Sequence, residues 1–301
     1  LAIVYRLSVV GLGRMGGPVC ARLVQSGFEV TATDTVSSHQ ADAEAAGARW
    51  SDGLEAATAG ADIVVTILPG PPEVSAIVGS LTGAMAAGAL WLDLSTASPA
   101  VARTVSAAAG QCDIAVVDAP LGGSPEDARR GRLLSFAGGR DADLDRVRPV
   151  LEAIADRVVH VGPHGSGYLT KLLANSLWFG QAVATAEALA IVDRAGLDVT
   201  EIQGALAQSA AGRGFITHDA PALIAGDTMP AFSLARCAEQ LRSLQDAAAD
   251  LAVPAEVLDA VASVHSGAVH EYGEVDGELL GARHAAHRAG VDFGDREPPP
   301  D

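Results

Sequence analysis

One lysine, Lys171, occurs in the whole chain, although Lys and Arg together number 20. Every other basic side chain is therefore an arginine, whose guanidinium stays protonated at any usable pH. An ammonium, by contrast, gives up a proton when its surroundings lower its pKa. The lysine sits in Gly162-x-x-Gly165-x-Gly167-x-x-x-Lys171-x-x-x-Asn175, a glycine-rich entry into a helix. Lys171 and Asn175 stand i and i+4 on one helical face, so both can point at a single oxygen. A general acid/base beside an orienting amide suits proton transfer to or from a hydroxyl.

A second set of residues supplies the other half of a reaction. The apolar run Leu7 to Val10 leads into Gly11-Leu12-Gly13-Arg14-Met15-Gly16, and Pro18 to Gln25 has helical character. In that strand-turn-helix setting Gly11 permits the tight turn and Gly13 lets the backbone approach a pyrophosphate. Gly16 lets helix and strand pack closely, with the helix N-terminus facing the phosphates. The next apolar run, Glu29 to Thr33, ends at Asp34, about twenty residues beyond the glycines, where an acidic side chain bonds adenine ribose hydroxyls. Its carboxylate repels a 2′-phosphate, and no arginine lies between Arg22 and Arg49 to neutralise one. NAD is expected in preference to NADP.

These residues need a frame to hold them. Up to about residue 161, short apolar runs (Ile63 to Leu68, Ala89 to Asp93, Ile114 to Asp118, Leu133 to Ala137 and Val158 to Val161 after the first two) alternate with longer Ala-rich stretches. The rhythm is βαβ, and strands so flanked are buried on both faces. A doubly wound α/β domain with a mostly parallel sheet is expected over residues 1–162. Beyond Gly162-Pro163-His164-Gly165 the strand signals stop, and from Gly167 to Arg194 only Gly180 interrupts helix formers. Such a helix is ~42 Å long, which predicts a spine leaving the first domain and running through an all-helical second one, residues 163–292. Further helices are expected at Val199 to Ala207, around Ala220 to Ile224, at Leu234 to Leu251 and at Pro254 to Ser266. The tail, residues 293–301, with Glu297-Pro298-Pro299-Pro300-Asp301, has little to bury and reads as disordered.

Composition excludes several classes. A formal net charge of −17 with no basic cluster argues against nucleic acid or an anionic membrane as partner. Cys20, Cys112 and Cys237 are odd in number and far apart, so neither disulfides nor a zinc site is suggested, and a reducing cytoplasm fits. The opening Leu1-Ala2-Ile3-Val4-Tyr5 is too short for a signal sequence, and no run approaches a membrane span. The eight histidines include no H-E-x-x-H motif. His284 and His287 read as surface, and no metal is expected. Trp178 and Phe179 read as core in preference to pocket wall.

Four motifs, in order, resemble those of the 3-hydroxyisobutyrate dehydrogenase family, the β-hydroxyacid dehydrogenases, from about Arg6 to about Ala289. Gly11-Leu12-Gly13-Arg14-Met15-Gly16-Gly17-Pro18 is similar to the cofactor signature, and Leu94-Ser95-Thr96-Ala97-Ser98-Pro99 to the nicotinamide segment. Asp118-Ala119-Pro120-Leu121-Gly122-Gly123-Ser124 resembles the substrate loop, and Gly162 to Asn175 the catalytic helix. The resemblance implies a Rossmann domain and a helical domain joined by the long helix, an active site in the cleft between them, and a dimer or tetramer. It implies that Leu68, Pro69 and Thr96 contact the cofactor and that Gly122, Gly123 and Ser124 hold a substrate carboxylate. Lys171 would be the acid/base with Asn175 beside it, and the substrate a short 3-hydroxy acid or semialdehyde.

The chain departs from the family in two places. The substrate loop reads Gly122-Gly123-Ser124 where the family has Ser-Gly-Gly, which moves the hydroxyl by two residues. Counted from Phe232 and Leu234, the family's Lys-Asp pair falls on Glu239-Gln240, putting a carboxylate where a cation would stand and disfavouring acidic ligands there. A 6-phosphogluconate dehydrogenase would carry a histidine at Ala174 and a much larger helical domain. Two alternatives stay open: an imine reductase-like enzyme, disfavoured by the presence of Lys171, and a non-catalytic NAD-binding scaffold.

Overall fold

The computed structural model describes residues 5–209 and 214–293; most of the expected disordered tail lies outside them. The first half alternates strand and helix as β1 (Arg6–Val10), α1 (Gly16–Gln25), β2 (Glu29–Thr33), α2 (His39–Ala45), β3 (Arg49–Trp50), α3 (Leu54–Thr58) and β4 (Ile63–Thr66). It continues with α4 (Pro71–Ala84), β5 (Leu90–Asp93), α5 (Pro99–Gln111), β6 (Ala115–Asp118), β7 (Leu121–Gly122) and α6 (Pro125–Arg130). β8 (Leu133–Gly138), α7 (Asp141–Ile154) and β9 (Ala155–Gly162) complete it. Proline at the start of α4, α5 and α6 suits a first turn, where its missing N–H has no helical partner to lose.

These strands form one sheet ordered β3-β2-β1-β4-β5-β6-β8-β7, with β9 on the far side of β8. β1 through β6 are parallel, with a helix between each strand and the next in the chain. β8 runs antiparallel to β6 and β7, and β9 parallel to β8. Every residue of β4 and β5 is buried, because helices cover both faces. One core packs Leu7, Val9, Val19 and Leu23 against Val147, Leu151 and Ile154. The other packs Val64 and Trp91 against Val74, Val78, Leu81, Val101 and Val105. The doubly wound α/β class is as expected. β3 and β7 went unread because two residues carry no period. β9 starts earlier than its apolar run because Asp156 and Arg157 are exposed.

The second half is helical: α8 (Ser166–Arg194), α9 (Val199–Ala207), α10 (Phe215–His218), α11 (Ala220–Ile224), α12 (Leu234–Asp250), α13 (Glu256–Tyr272) and α14 (Leu280–Arg288). Ala182, Ala186, Leu189 and Ala190 of α8 bury against Val199, Leu223, Ala282 and Ala286, while Phe179 packs with Cys237, Leu241 and Val261. The chain divides into two compact units between Lys171 and Leu172, inside α8, so Lys171 is the last residue of the first unit. Among the described residues no helix is long and apolar enough to cross a membrane.

Candidate active site

The turn after β1 has the shape a pyrophosphate requires. Gly11 adopts a φ of 92°, and a Cβ on it would fall 2.3 Å from the Ile67 carbonyl oxygen, so conformation and space both demand glycine. A Cβ on Gly16 would lie 2.0 Å from the Gly11 carbonyl oxygen, the contact by which α1 docks onto the turn. Gly13 is exposed, with nothing within 4 Å of where its Cβ would be. That open face above a helix N-terminus is where phosphates bind. Leu12 is buried and Arg14 exposed, and Met15 packs against the core below.

Asp34, just past β2, is tied to the same turn. The Leu12 N–H donates to its Oδ2 at 2.6 Å and the Val36 N–H to its Oδ1 at 2.8 Å. His39 Nδ1, at the start of α2 and not foreseen as a neighbour, lies 3.2 Å from Oδ2. Partial burial opposes ionisation of Asp34, but the two amides and His39 outweigh it and hold the carboxyl below its usual range. The result is a fixed anionic acceptor, and Oδ1 keeps a lone pair for a ribose hydroxyl. These residues fit a dinucleotide.

Leu68, Pro69 and Thr96 follow the C-terminal ends of β4 and β5, the edge at which doubly wound sheets bind ligands. The two loops are stitched together by the Leu68 N–H donating to Ser95 Oγ at 2.8 Å. Gly122 pairs with Leu134 in β7–β8, and Gly123 and Ser124 are exposed. Ser124 caps α6: its Oγ accepts from the Asp127 N–H at 3.2 Å and donates to Asp127 Oδ2 at 2.6 Å. A hydroxyl has one proton, and this one is spent on Asp127. Ser124 Oγ is thus an acceptor toward anything else, and the donors this loop can offer a carboxylate are backbone N–H groups.

The start of α8 is held by a buried network that sequence reasoning missed. Asp118, at the end of β6, accepts the Gly165 N–H at 2.7 Å and the Tyr168 N–H at 2.8 Å. Asp93, at the end of β5, accepts the Tyr168 hydroxyl at 2.6 Å, the Thr66 hydroxyl at 2.8 Å and the Ser95 N–H at 2.9 Å. Trp91 Nε1 in turn donates to Thr66 Oγ1. Burial pushes Asp93 up against the pull of these donors. Burial likewise pushes Asp118 up to about 7, with Asp93 adding to the rise and the two amides opposing it. The same burial drives His164 down to about 4; its Nδ1 meets Ser106 Oγ at 2.8 Å. Lys171, three residues past Tyr168, is partly buried.

In the second unit, Asn175 donates through Nδ2 to Gln240 Oε1 at 2.6 Å, and Gln240 is buried. Glu239 is not a bare carboxylate, because Arg236, one turn earlier on α12, meets it at 2.8 Å. The expected excess negative charge there is therefore matched by a cation from the same helix. Phe179 is core, as expected, while Trp178 is partly buried and donates to Asp219 Oδ2 at 2.9 Å. The surface reading of His284 is corrected: the ring is buried and bonded to Glu271. Gly267 makes room for it, since a Cβ there would fall 2.6 Å from its Nε2. His287 is partly exposed and touches Tyr272 and Glu271.

On a sheet of this order, a turn of that geometry with an acceptor fixed beside it makes the first unit the dinucleotide-binding part of an oxidoreductase. The family model for the NAD binding domain of 6-phosphogluconate dehydrogenase matches residues 6–162. The model for the NAD-binding of NADP-dependent 3-hydroxyisobutyrate dehydrogenase matches residues 165–280. The chain belongs to the 3-hydroxyisobutyrate dehydrogenase family and is an NAD(P)-dependent oxidoreductase of the β-hydroxyacid dehydrogenase type. It is 32% identical to an NAD-dependent L-serine dehydrogenase of Pseudomonas aeruginosa over 69% of this chain and 70% of that one. To a 3-hydroxyisobutyrate dehydrogenase of the same organism it is 33% identical over 68% and 70%. The solved structure of Mycobacterium tuberculosis 3-hydroxyisobutyrate dehydrogenase with L-serine superposes with a TM-score of 0.86 at 27% identity, covering 96% of this chain and all of that one.

Proposed function

We propose that the protein oxidises the β-hydroxyl of a short 3-hydroxy acid, or reduces the matching semialdehyde, with NAD in preference to NADP. Lys171 takes the hydroxyl proton in oxidation and returns it to the nascent alkoxide in reduction, and Asn175 orients the same oxygen. Bound nicotinamide supplies the hydride acceptor. Gly11, Leu12, Gly13, Arg14, Met15 and Gly16 form the pyrophosphate turn, Asp34 takes the ribose, and Leu68, Pro69 and Thr96 lie along the nicotinamide side. Gly122 and Gly123 cradle the substrate carboxylate through backbone N–H groups, with Ser124 shaping the loop as the cap of α6.

The carrying observation is the chain's one lysine, placed one turn into a helix whose start is locked to the ends of β5 and β6. Asp34 supports NAD: an ionised carboxylate at the ribose repels a 2′-phosphate. The Arg236–Glu239 pair counts against a cationic amine substrate, because the carboxylate already has its counter-ion. Initial rates with L-serine and 3-hydroxyisobutyrate against NAD and NADP test the proposal. Turnover of at least one with a lower KM for NAD is expected. A clear preference for NADP removes the Asp34 assignment, and cofactor binding without turnover of any short hydroxy acid points to a scaffold. A homodimer or homotetramer is part of the proposal, to be read by light scattering.

A further inference from the structure

Asp93, Asp118 and Tyr168 are buried in the first unit, yet no step of the proposed chemistry uses them. The two carboxylates end neighbouring strands and are register partners across β5 and β6. Burying two such groups side by side costs stability that an apolar pair would not, so what they hold matters. They hold the start of α8 at three points: the Gly165 N–H, the Tyr168 N–H and the Tyr168 hydroxyl. Two glycines let the helix come that close. A Cβ on Gly167 would fall 2.3 Å from the Phe136 carbonyl oxygen and 2.8 Å from Asp118 Oδ2. One on Gly138 would fall 2.5 Å from Asp118 Oδ1 and 2.9 Å from the Gly167 nitrogen. The Tyr168 ring fills the core beside Trp91 and Val101. Lys171 follows Tyr168 by three residues, ~4.5 Å along the helix axis.

We propose that Asp93, Asp118 and Tyr168 are positioning residues for Lys171, a buried clamp that fixes the first turn of α8 against the ends of β5 and β6. The ammonium thereby meets the reacting oxygen at one defined place. The clamp rests on the assignment of Lys171 as acid/base. Misplacing a catalytic group by about 1 Å costs up to ~10²-fold in rate, and a lysine on a four-carbon stem gains nothing from a helix that wanders.

Tyr168→Phe keeps the ring and removes one hydrogen bond. With NAD and whichever of L-serine and 3-hydroxyisobutyrate the wild-type enzyme oxidises, kcat should fall about tenfold. The KM for substrate and the Kd for NAD should stay unchanged, with a cooperative thermal transition retained. Asp118→Asn, which sets an amide where two N–H groups need acceptors, should give the same split, and it serves if Tyr168→Phe fails to fold. Wild-type kcat in a folded variant overturns the clamp. So does a loss shared equally between kcat and NAD binding, the mark of a merely structural role. Lys171→Ala run alongside separates the two ideas. If it is inactive while Tyr168→Phe is normal, the clamp alone falls; if it still turns over, the acid/base assignment falls and takes the clamp with it.

Discussion

Lys171→Ala should lower turnover by ~10²-fold or more while NAD titration by fluorescence still shows binding, because the cofactor turn lies on other residues. Lys171→Arg should fail as well: a guanidinium keeps its proton and cannot act as the base. Near-normal turnover in either variant would end the proposed chemistry. Asp118 and His164 come within 4.0 Å of each other and titrate in opposite senses. Burial raises Asp118 from 3.8 to about 7, so its contribution to stability is full below the unfolded value and is lost as the pH rises through about 7. Burial lowers His164 from 6.5 to about 4, so its contribution is full above 6.5 and is lost as the pH falls through about 4. Between pH 4 and 6.5 the two slopes oppose. Asp118→Asn leaves only the histidine's, and the Tm of that variant should rise with pH across this window relative to wild type. A difference that stays constant across this window would show that Asp118 is ionised throughout.

Among the elements, α8 shows how far pattern reading reaches. Its extent was legible from Gly167 to Arg194, since nothing but Gly180 interrupts the helix formers, and it begins one residue earlier at Ser166. Its attachment was not legible. Asp93 and Asp118 each end an apolar run, as many aspartates do, and Tyr168 is one ring in a glycine-rich stretch. Only sheet order brings β5 and β6 together beneath that ring. Ser124 teaches the same lesson in reverse. Its place in the loop motif suggested a ligand contact, yet Ser124-Pro125-Glu126-Asp127 also spells a helix start with a reciprocal cap, and the structure shows that cap. β6 and β8 pair antiparallel because the chain returns through β7 and the short α6; a parallel return would need a full crossover.

For the whole molecule, the net charge of −17 sets a long-range field that repels the anionic cofactor and an anionic hydroxy acid alike. Raising salt from ~0.01 M to ~0.15 M shortens the Debye length from ~30 Å to ~8 Å. The kcat/KM for an anionic substrate at fixed subsaturating NAD should therefore rise over that interval. A fall would reveal a local cationic funnel stronger than the net charge. Residue types and their spacing determined the class of fold, the glycine turn after β1, the carboxylate that follows β2 and the presence of Lys171 and Asn175 one turn apart on α8. Each of these is a local matter of backbone conformation, helical period or the chemistry of one side chain. Tertiary structure alone decided that His39 backs Asp34, that Arg236 neutralises Glu239, that Gln240 takes the Asn175 amide, and that two buried carboxylates grip Tyr168. Contacts between residues tens of positions apart are chosen by sheet order and packing, and no short stretch of sequence carries that information.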